Sequence, residues 1–339
     1  MSQKSFRVAV AVNKQMAKSV IGTGGYDFLK SFAEVNPMEE LPETMTVEFM
    51  AKILNDADAC LTCWGTPAFT QELLDSAPKL RLIAHAAGTI KSLVPEGFWK
   101  SGRRITSNAP VIAEDVAQAV LAYIQFTLRG FWRFSHSTQK GEWSKGEDSM
   151  FSTRRMDGLQ VGVVSASNVG KSVIRMLQPF KCNINLYDPL ISDYDAFELG
   201  VRRMELNELI STSDILTIHA PAIESCRHLL NKENIPLIKN EALFINTSRG
   251  MVVEEPALIK ELETGRFFAC LDVTDPEPPA EDHPFRSMSN VILTPHITGG
   301  HTVNGRLMLG MNSINEIFGY LHRGQLRYEV RQEMLATMA

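Results

Sequence analysis

Between residues 159 and 296, short apolar runs alternate with helix-length segments, and this alternation constrains the fold more than any other feature of the chain. The runs are LQVGVVS, NINLYDP, ILTIHAP, ALFINTS, FFACLDV and NVILTPH. Short apolar runs bounded by turn formers read as strands buried on both faces. When helix-length segments separate such strands, the connections are crossovers, and the product is a parallel sheet with helices on its faces. Six of them in succession make a nucleotide-binding domain of the doubly wound α/β class.

A second, shorter alternation precedes it. FRVAVAV at 6–12 is strand-like, Val47, Met50, Ile53 and Leu54 recur at helical spacing, and ACLTCW follows as a strand. TQELLDS at 70–76 begins a short helix with Thr70 as its N-cap, and LRLIAHAAG is a further buried strand. Residues 114–134 read as one long helix with Val116, Val120, Tyr123, Ile124 and Phe131 on a wide apolar face, followed by a polar stretch at 137–157. Turn chemistry at Asn108-Ala-Pro110 and Thr298-Gly-Gly300 marks the crossings between domains, and a last helix near 302–321 returns to the first. The expected division is 1–108 with 300–339, and 109–299.

A chain of 339 residues with 44% hydrophobic content suits two such domains. Its net charge of -5, without a basic run, argues against nucleic acid and for a small-molecule partner. The start, MSQKSFRVAVAVN, lacks an apolar core of signal-peptide length, and no stretch approaches the roughly 18 apolar residues of a membrane span, so the expected location is the cytoplasm. Five scattered cysteines suit reduced thiols. The Cys60-Leu-Thr-Cys63 pair ends a strand instead of opening a helix and has no second ligand pair, which favours packing over redox or metal chemistry.

The loop after the first of the six strands reads VGVVSASNVGKSV over 161–173. Against the dinucleotide fingerprint G-x-G-x-x-G it keeps only Gly170, with Ser165 and Ser167 where the first two glycines belong. Against the phosphate loop G-x-x-x-x-G-K-[ST] it keeps Gly170, Lys171 and Ser172 and lacks the opening glycine. A nucleotide hydrolase would also need a strand-end carboxylate for magnesium, a place Asp272 fits. A dinucleotide site would need an acid for the adenosine ribose, and Asp188 stands 18 residues after Gly170. Serine at either glycine position adds a Cβ, a strain on the order of 1 kcal/mol where φ is positive, and a hydroxyl that can bond a phosphate. The loop alone leaves both readings open.

Five further motifs decide between them. LYDP at 186–189, IHAP at 218–221, INTSRGMVVEE at 245–255, LDVTDPEP at 271–278 and LTPHITGG at 293–300 resemble, in order and spacing, the D-isomer-specific 2-hydroxyacid dehydrogenases, and the resemblance covers nearly the whole chain. It implies a Rossmann-type NAD domain, a flavodoxin-like α/β substrate domain, an active site in the cleft between them, and a homodimer joined through the long helix after residue 113. The implied reaction moves a hydride between a nicotinamide and a small 2-keto or 2-hydroxy acid, with His296 as proton donor or acceptor and Glu277 as the carboxylate that orients its ring. Arg249 is implied as the substrate arginine, because its planar fork suits a carboxylate. The backbone N–H groups of Gly88 and Thr89 would share that carboxylate. Asp272 would lie near the nicotinamide amide, and Asp188 would receive the ribose hydroxyls and favour NADH over NADPH. Further cofactor contacts are implied at Ser167, Asn168, Val169, Gly170, Ala220, Pro221, Thr247, Arg249, His296 and Gly299, with no metal.

The departures are Ser165 and Ser167 for glycines, Thr89 for a small turn residue, Lys91 for an acid and Gln118 for a glutamate. His85, His219 and His301 lie beside motifs without matching a catalytic position, which leaves pocket lining and structure equally open for each. Two other functions compete: a dinucleotide-sensing binding protein with little turnover, and a magnesium-dependent nucleotide hydrolase. The intact set of Arg249, Glu277 and His296 weighs against both.

Overall fold

A computed structural model describes residues 6–143 and 153–338; residues 144–152 of the expected polar stretch, and the first five residues, lie outside them. The strands are β1 (Phe6–Ala11), β2 (Ala33–Val35), β3 (Ala59–Thr62), β4 (Leu82–His85), β5 (Arg104–Ser107), β6 (Gln160–Val164), β7 (Asn183–Tyr187), β8 (Arg202–Arg203), β9 (Ile215–Ile218), β10 (Leu243–Asn246), β11 (Phe268–Leu271), β12 (Val291–Leu293) and β13 (Glu329–Val330). The chain divides into two compact units: residues up to Ile112 together with those from Gly300 onward, and Ala113–Gly299.

The first unit holds a six-stranded sheet of order β13-β5-β4-β3-β1-β2, parallel except for β13. Without that edge strand the order is the flavodoxin-like 2-1-3-4-5. Its central strands β3 and β4 are buried on both faces, and Val8, Val10, Leu61 and Ile83 share one core with Leu309, Ile314 and Ile317 of the last helix. That helix, Val303–Arg323, is capped by the Thr302 side chain on the Gly305 amide and ends at Gly324 with φ 67°. Thr70 accepts from the Leu73 amide at 3.2 Å and so caps Gln71–Asp75, a contact worth about 1 kcal/mol. In the Val47–Leu54 helix, Met50, Ile53 and Leu54 are buried and Val47 is exposed. Asn108 is buried where the chain leaves β5: its amide donates to the carbonyls of His85 and Leu309 and to Ser313 Oγ, and its carbonyl accepts from Asn312. Cys60 and Cys63 are both buried, and burial pushes the Cys63 thiol up to about 12, consistent with a packing role.

The second unit holds a seven-stranded parallel sheet of order β12-β11-β10-β9-β6-β7-β8. Numbered from β6, this is the doubly wound 3-2-1-4-5-6 order with a seventh strand at the edge. The six expected strands all form, and the two-residue β8 is an addition that carries no apolar signal. Register aligns the carboxyl ends: Val164 pairs with both Tyr187 and Ile218, and Asn246 with both Ile218 and Leu271. The residues just beyond these ends therefore share one edge of the sheet.

The long helix differs from expectation. It runs Ala109–Leu128, breaks at Gly130 with φ 62°, and resumes as Phe131–Gln139. A left-handed residue cannot continue the helical ladder, so Phe131 opens a new helix and is 53% exposed, while Val116, Val120 and Ile124 are buried. Ala109–Leu128 is the one helix among the described residues long and apolar enough to cross a membrane by length and composition, and seven of its residues are buried within the fold.

Candidate active site

The altered glycine loop joins β6 to the Asn168–Leu177 helix. Ser165 takes φ 81°, the left-handed conformation a glycine would supply, and its amide donates to the Tyr187 carbonyl at 2.7 Å. Its hydroxyl donates to Asp188 Oδ2 at 3.2 Å. Ser167 is extended, at φ −61° and ψ 175°, and its Oγ accepts from the Gly170 amide at 3.3 Å, so it is the helix N-cap. Both hydroxyls thus have partners within the fold. Gly170 is required by contact: a Cβ there would lie 2.0 Å from the Ser165 carbonyl oxygen. Asn168 and Val169 form the first helical turn, whose N–H groups have no intrahelical partner and suit an anion. Ser172, which a phosphate loop would turn to magnesium, is buried and donates to Glu114 at 2.8 Å.

Asp188, one residue beyond β7, is tied into this loop. Oδ2 accepts from the Ala166 amide at 2.7 Å as well as from Ser165, and Oδ1 accepts from the Leu190 amide at 2.8 Å. Beyond β9, Ala220 is buried and Pro221 is partly exposed. Beyond β10, the Thr247 hydroxyl is buried and is one of four such side-chain groups without a hydrogen-bond partner among the described residues. An orphaned hydroxyl at the carboxyl edge of a doubly wound sheet suits a ligand there.

Arg249 follows in a turn built by Asn246, whose Oδ1 accepts from the Ser248 amide and hydroxyl and whose Nδ2 donates to the Arg249 carbonyl. The Arg249 guanidinium is partly exposed and donates to the Ser248 carbonyl at 2.7 Å, and no described carboxylate pairs with it. It is available for an anion.

Asp272 lies one residue beyond β11 and is 1% exposed. Oδ1 accepts from Thr294 Oγ1 at 2.6 Å and the Ile297 amide at 2.9 Å; Oδ2 accepts from the Thr298 amide at 2.9 Å and its hydroxyl at 2.6 Å. Four donors fill the roughly four acceptor sites of a carboxylate. Because Thr294 gives its proton to Asp272, Tyr123 donates to Thr294 at 2.6 Å. Burial pushes the Tyr123 phenol up to about 12.

This bracket shapes the turn that carries His296. Its amide donates to the Asp272 carbonyl, its φ is 54°, and its Nδ1 lies 2.7 Å from Glu277 Oε1. Both side chains are about two-fifths exposed, and among the described residues Nε2 makes no hydrogen bond. With Nδ1 on the carboxylate, Nε2 is the nitrogen left to exchange a proton with a ligand. The loop bearing Glu277 is anchored in turn by Glu255: Oε2 accepts from the Asp275 amide at 3.2 Å, and Oε1 lies 2.8 Å from His283 Nε2.

In the first unit, Gly88 and Thr89 follow β4, and neither backbone N–H donates a hydrogen bond among the described residues. Gly299 closes the second unit. His85 and His219 are each buried and lie 2.9 Å from a threonine hydroxyl of their own sheet (Thr62 and Thr217), and burial pushes them down, to about 4 and about 3. His301 is exposed. Sequence reasoning missed Asn246, Glu255, His283, Thr294 and Thr298, none of which stands out by type or spacing.

A doubly wound sheet with a helix N-terminus at its switch point, an acid on the neighbouring strand and an oriented histidine defines a dinucleotide-binding oxidoreductase. The profile of the D-isomer specific 2-hydroxyacid dehydrogenase NAD-binding domain matches residues 121–298, more than half of the chain. The chain belongs to the D-isomer specific 2-hydroxyacid dehydrogenase family, and this unit is its NAD-binding domain. A glyoxylate reductase of Thermofilum pendens is 31% identical over 293 residues, which are 85% of each chain. A D-3-phosphoglycerate dehydrogenase of Methanocaldococcus jannaschii is 29% identical over 306 residues, 90% of this chain, and this chain spans 57% of its length. The crystal structure of a phosphoglycerate oxidoreductase from Rhizobium etli superposes with a TM-score of 0.79 at 25% identity, covering 95% of this chain and 96% of that one.

Proposed function

We propose that the chain reduces a small 2-keto acid to the D-2-hydroxy acid, and catalyses the reverse, with NADH preferred over NADPH. The observation that carries this reading is the contact of His296 Nδ1 with Glu277 at 2.7 Å, which leaves Nε2 free. When bound, the reduced nicotinamide supplies the hydride. The residues to hold it are Ser167, Asn168, Val169 and Gly170 at the pyrophosphate, Asp188 at the ribose, and Ala220, Pro221, Thr247 and Gly299 along the same sheet edge, while Asp272, its acceptor sites already filled, serves the site by shaping the His296 turn; the orphaned Thr247 hydroxyl supports that fit. Arg249, which has no acidic partner among the described residues, binds the substrate carboxylate and polarises its carbonyl, and the N–H groups of Gly88 and Thr89, which donate no hydrogen bond among those residues, are the first unit's candidates for a substrate carboxylate. His296 delivers the proton from Nε2 to the carbonyl oxygen as general acid, and Glu277 holds the ring in that orientation. In the reverse direction neutral His296 accepts the hydroxyl proton.

The same reading includes a homodimer that uses the Ala109–Leu128 helix, whose exposed Phe126 ring lies 6.0 Å from that of Phe131 at the start of the next helix. Five free thiols suit the cytoplasm. Incubating the protein with a panel of 2-keto acids and NADH, followed by absorbance, tests the activity. NADH binding without oxidation by any acid would favour a dinucleotide-sensing protein instead.

A further inference from the structure

We propose that Ser165 is a cofactor-specificity residue, which weakens the discrimination Asp188 makes between NADH and NADPH by occupying one of its acceptor sites. The inference rests on the dinucleotide reading above.

A carboxylate offers about four acceptor sites. On Asp188 the Ala166 amide and the Ser165 hydroxyl fill Oδ2, and the Leu190 amide takes one site on Oδ1. One site remains for the two hydroxyls of an adenosine ribose. The Ser165 proton also offsets part of the charge that a 2′-phosphate would meet. The two effects act in the same direction, lowering affinity for NADH and easing the repulsion of NADPH.

The hydroxyl is held to this task by the backbone. Ser165 is buried, its amide is bound to the Tyr187 carbonyl, its carbonyl abuts Gly170, and its hydroxyl has Asp188 as its partner among the described residues. The orientation of Asp188 does not depend on it, because the two amides, at 2.7 and 2.8 Å, grip both carboxylate oxygens more closely than the hydroxyl at 3.2 Å. Removing the hydroxyl therefore frees an acceptor without releasing the side chain.

Calorimetric titration of wild type, Ser165→Ala and Ser165→Gly with NADH and with NADPH separates the hydroxyl from the strain. In Ser165→Ala, which keeps the Cβ, the ratio of the NADPH to the NADH Kd rises about tenfold. In Ser165→Gly the ratio rises equally, and the unfolding midpoint rises above that of Ser165→Ala because the φ of 81° is then unstrained. In an Asp188→Ala background, Ser165→Ala leaves the ratio unchanged. An unchanged or lower ratio in Ser165→Ala, or a shift that persists without Asp188, overturns the proposal. Failure of the wild type to bind either dinucleotide overturns the reading beneath it.

Discussion

Gly250 lies flat against Thr274: a Cβ on Gly250 would come within 2.2 Å of the Thr274 carbonyl carbon and oxygen and 2.6 Å of the Asp275 amide nitrogen. The contact joins the turn bearing Arg249 to the loop bearing Glu277, backbone on backbone. Gly250→Ala is expected to cost roughly 1–3 kcal/mol by overpacking, because the atoms met are main chain and cannot swing aside. Activity should fall further than stability, since Arg249 and Glu277 are displaced together. Denaturant unfolding with kcat/KM checks this; an unaltered kcat/KM would separate the contact from the site.

His296→Asn should lower turnover by roughly 10²–10⁴-fold while NADH binding stays near that of the wild type, because the proton donor is lost and the cofactor loop is untouched. Near-native turnover would remove His296 from the mechanism. Glu277→Gln keeps shape and loses the carboxylate that orients the His296 ring, and should lower kcat for keto-acid reduction while NADH binding stays near that of the wild type.

Asp272→Asn replaces an acceptor of four hydrogen bonds by an amide that turns an NH2 group toward donors. At least one of Thr294, Ile297 and Thr298 then loses its partner in a buried setting, at a cost of about 1–3 kcal/mol. Because the same bonds shape the His296 turn, kcat should drop with the unfolding midpoint. A variant of wild-type stability and kcat would contradict this account.

His85 and His219 make the fold sensitive to acid. Their folded-state values, about 4 and about 3, lie below the ordinary 6.5, so the unfolded chain binds more protons in between. Their contribution is complete above pH 6.5 and is lost as pH falls toward those values, at about 1.4 kcal/mol per pH unit for each histidine. His219→Gln, whose amide can still bond Thr217, should therefore show a shallower fall in the denaturation midpoint between pH 7 and pH 5. An identical slope would place the acid sensitivity elsewhere.

Asp188→Ser should narrow the preference for NADH, since the like charge facing a 2′-phosphate is gone and no arginine follows in Asp188-Pro-Leu-Ile. Equal kcat/KM with NADH and NADPH in the wild type would count against the role of Asp188.

The pairing of His296 with Glu277 was implied by the family resemblance; the sequence by itself determined the two α/β sheets and the strands that carry the motifs. Each of these is written in local periodicity or in the order of motifs along parallel strands, and parallel register then brings their ends to one edge. It also raised the right question at Ser165, where strain was expected only if φ were positive. Tertiary structure alone decided the answer, setting φ at 81° and giving the hydroxyl to Asp188, 23 residues away. It likewise broke the long helix at Gly130 and recruited Thr294 and Thr298 to Asp272 and His283 to Glu255. Hydrogen bonds between residues 22 to 28 positions apart have no periodicity to betray them, because they depend on where separate strand ends meet once the sheet has formed.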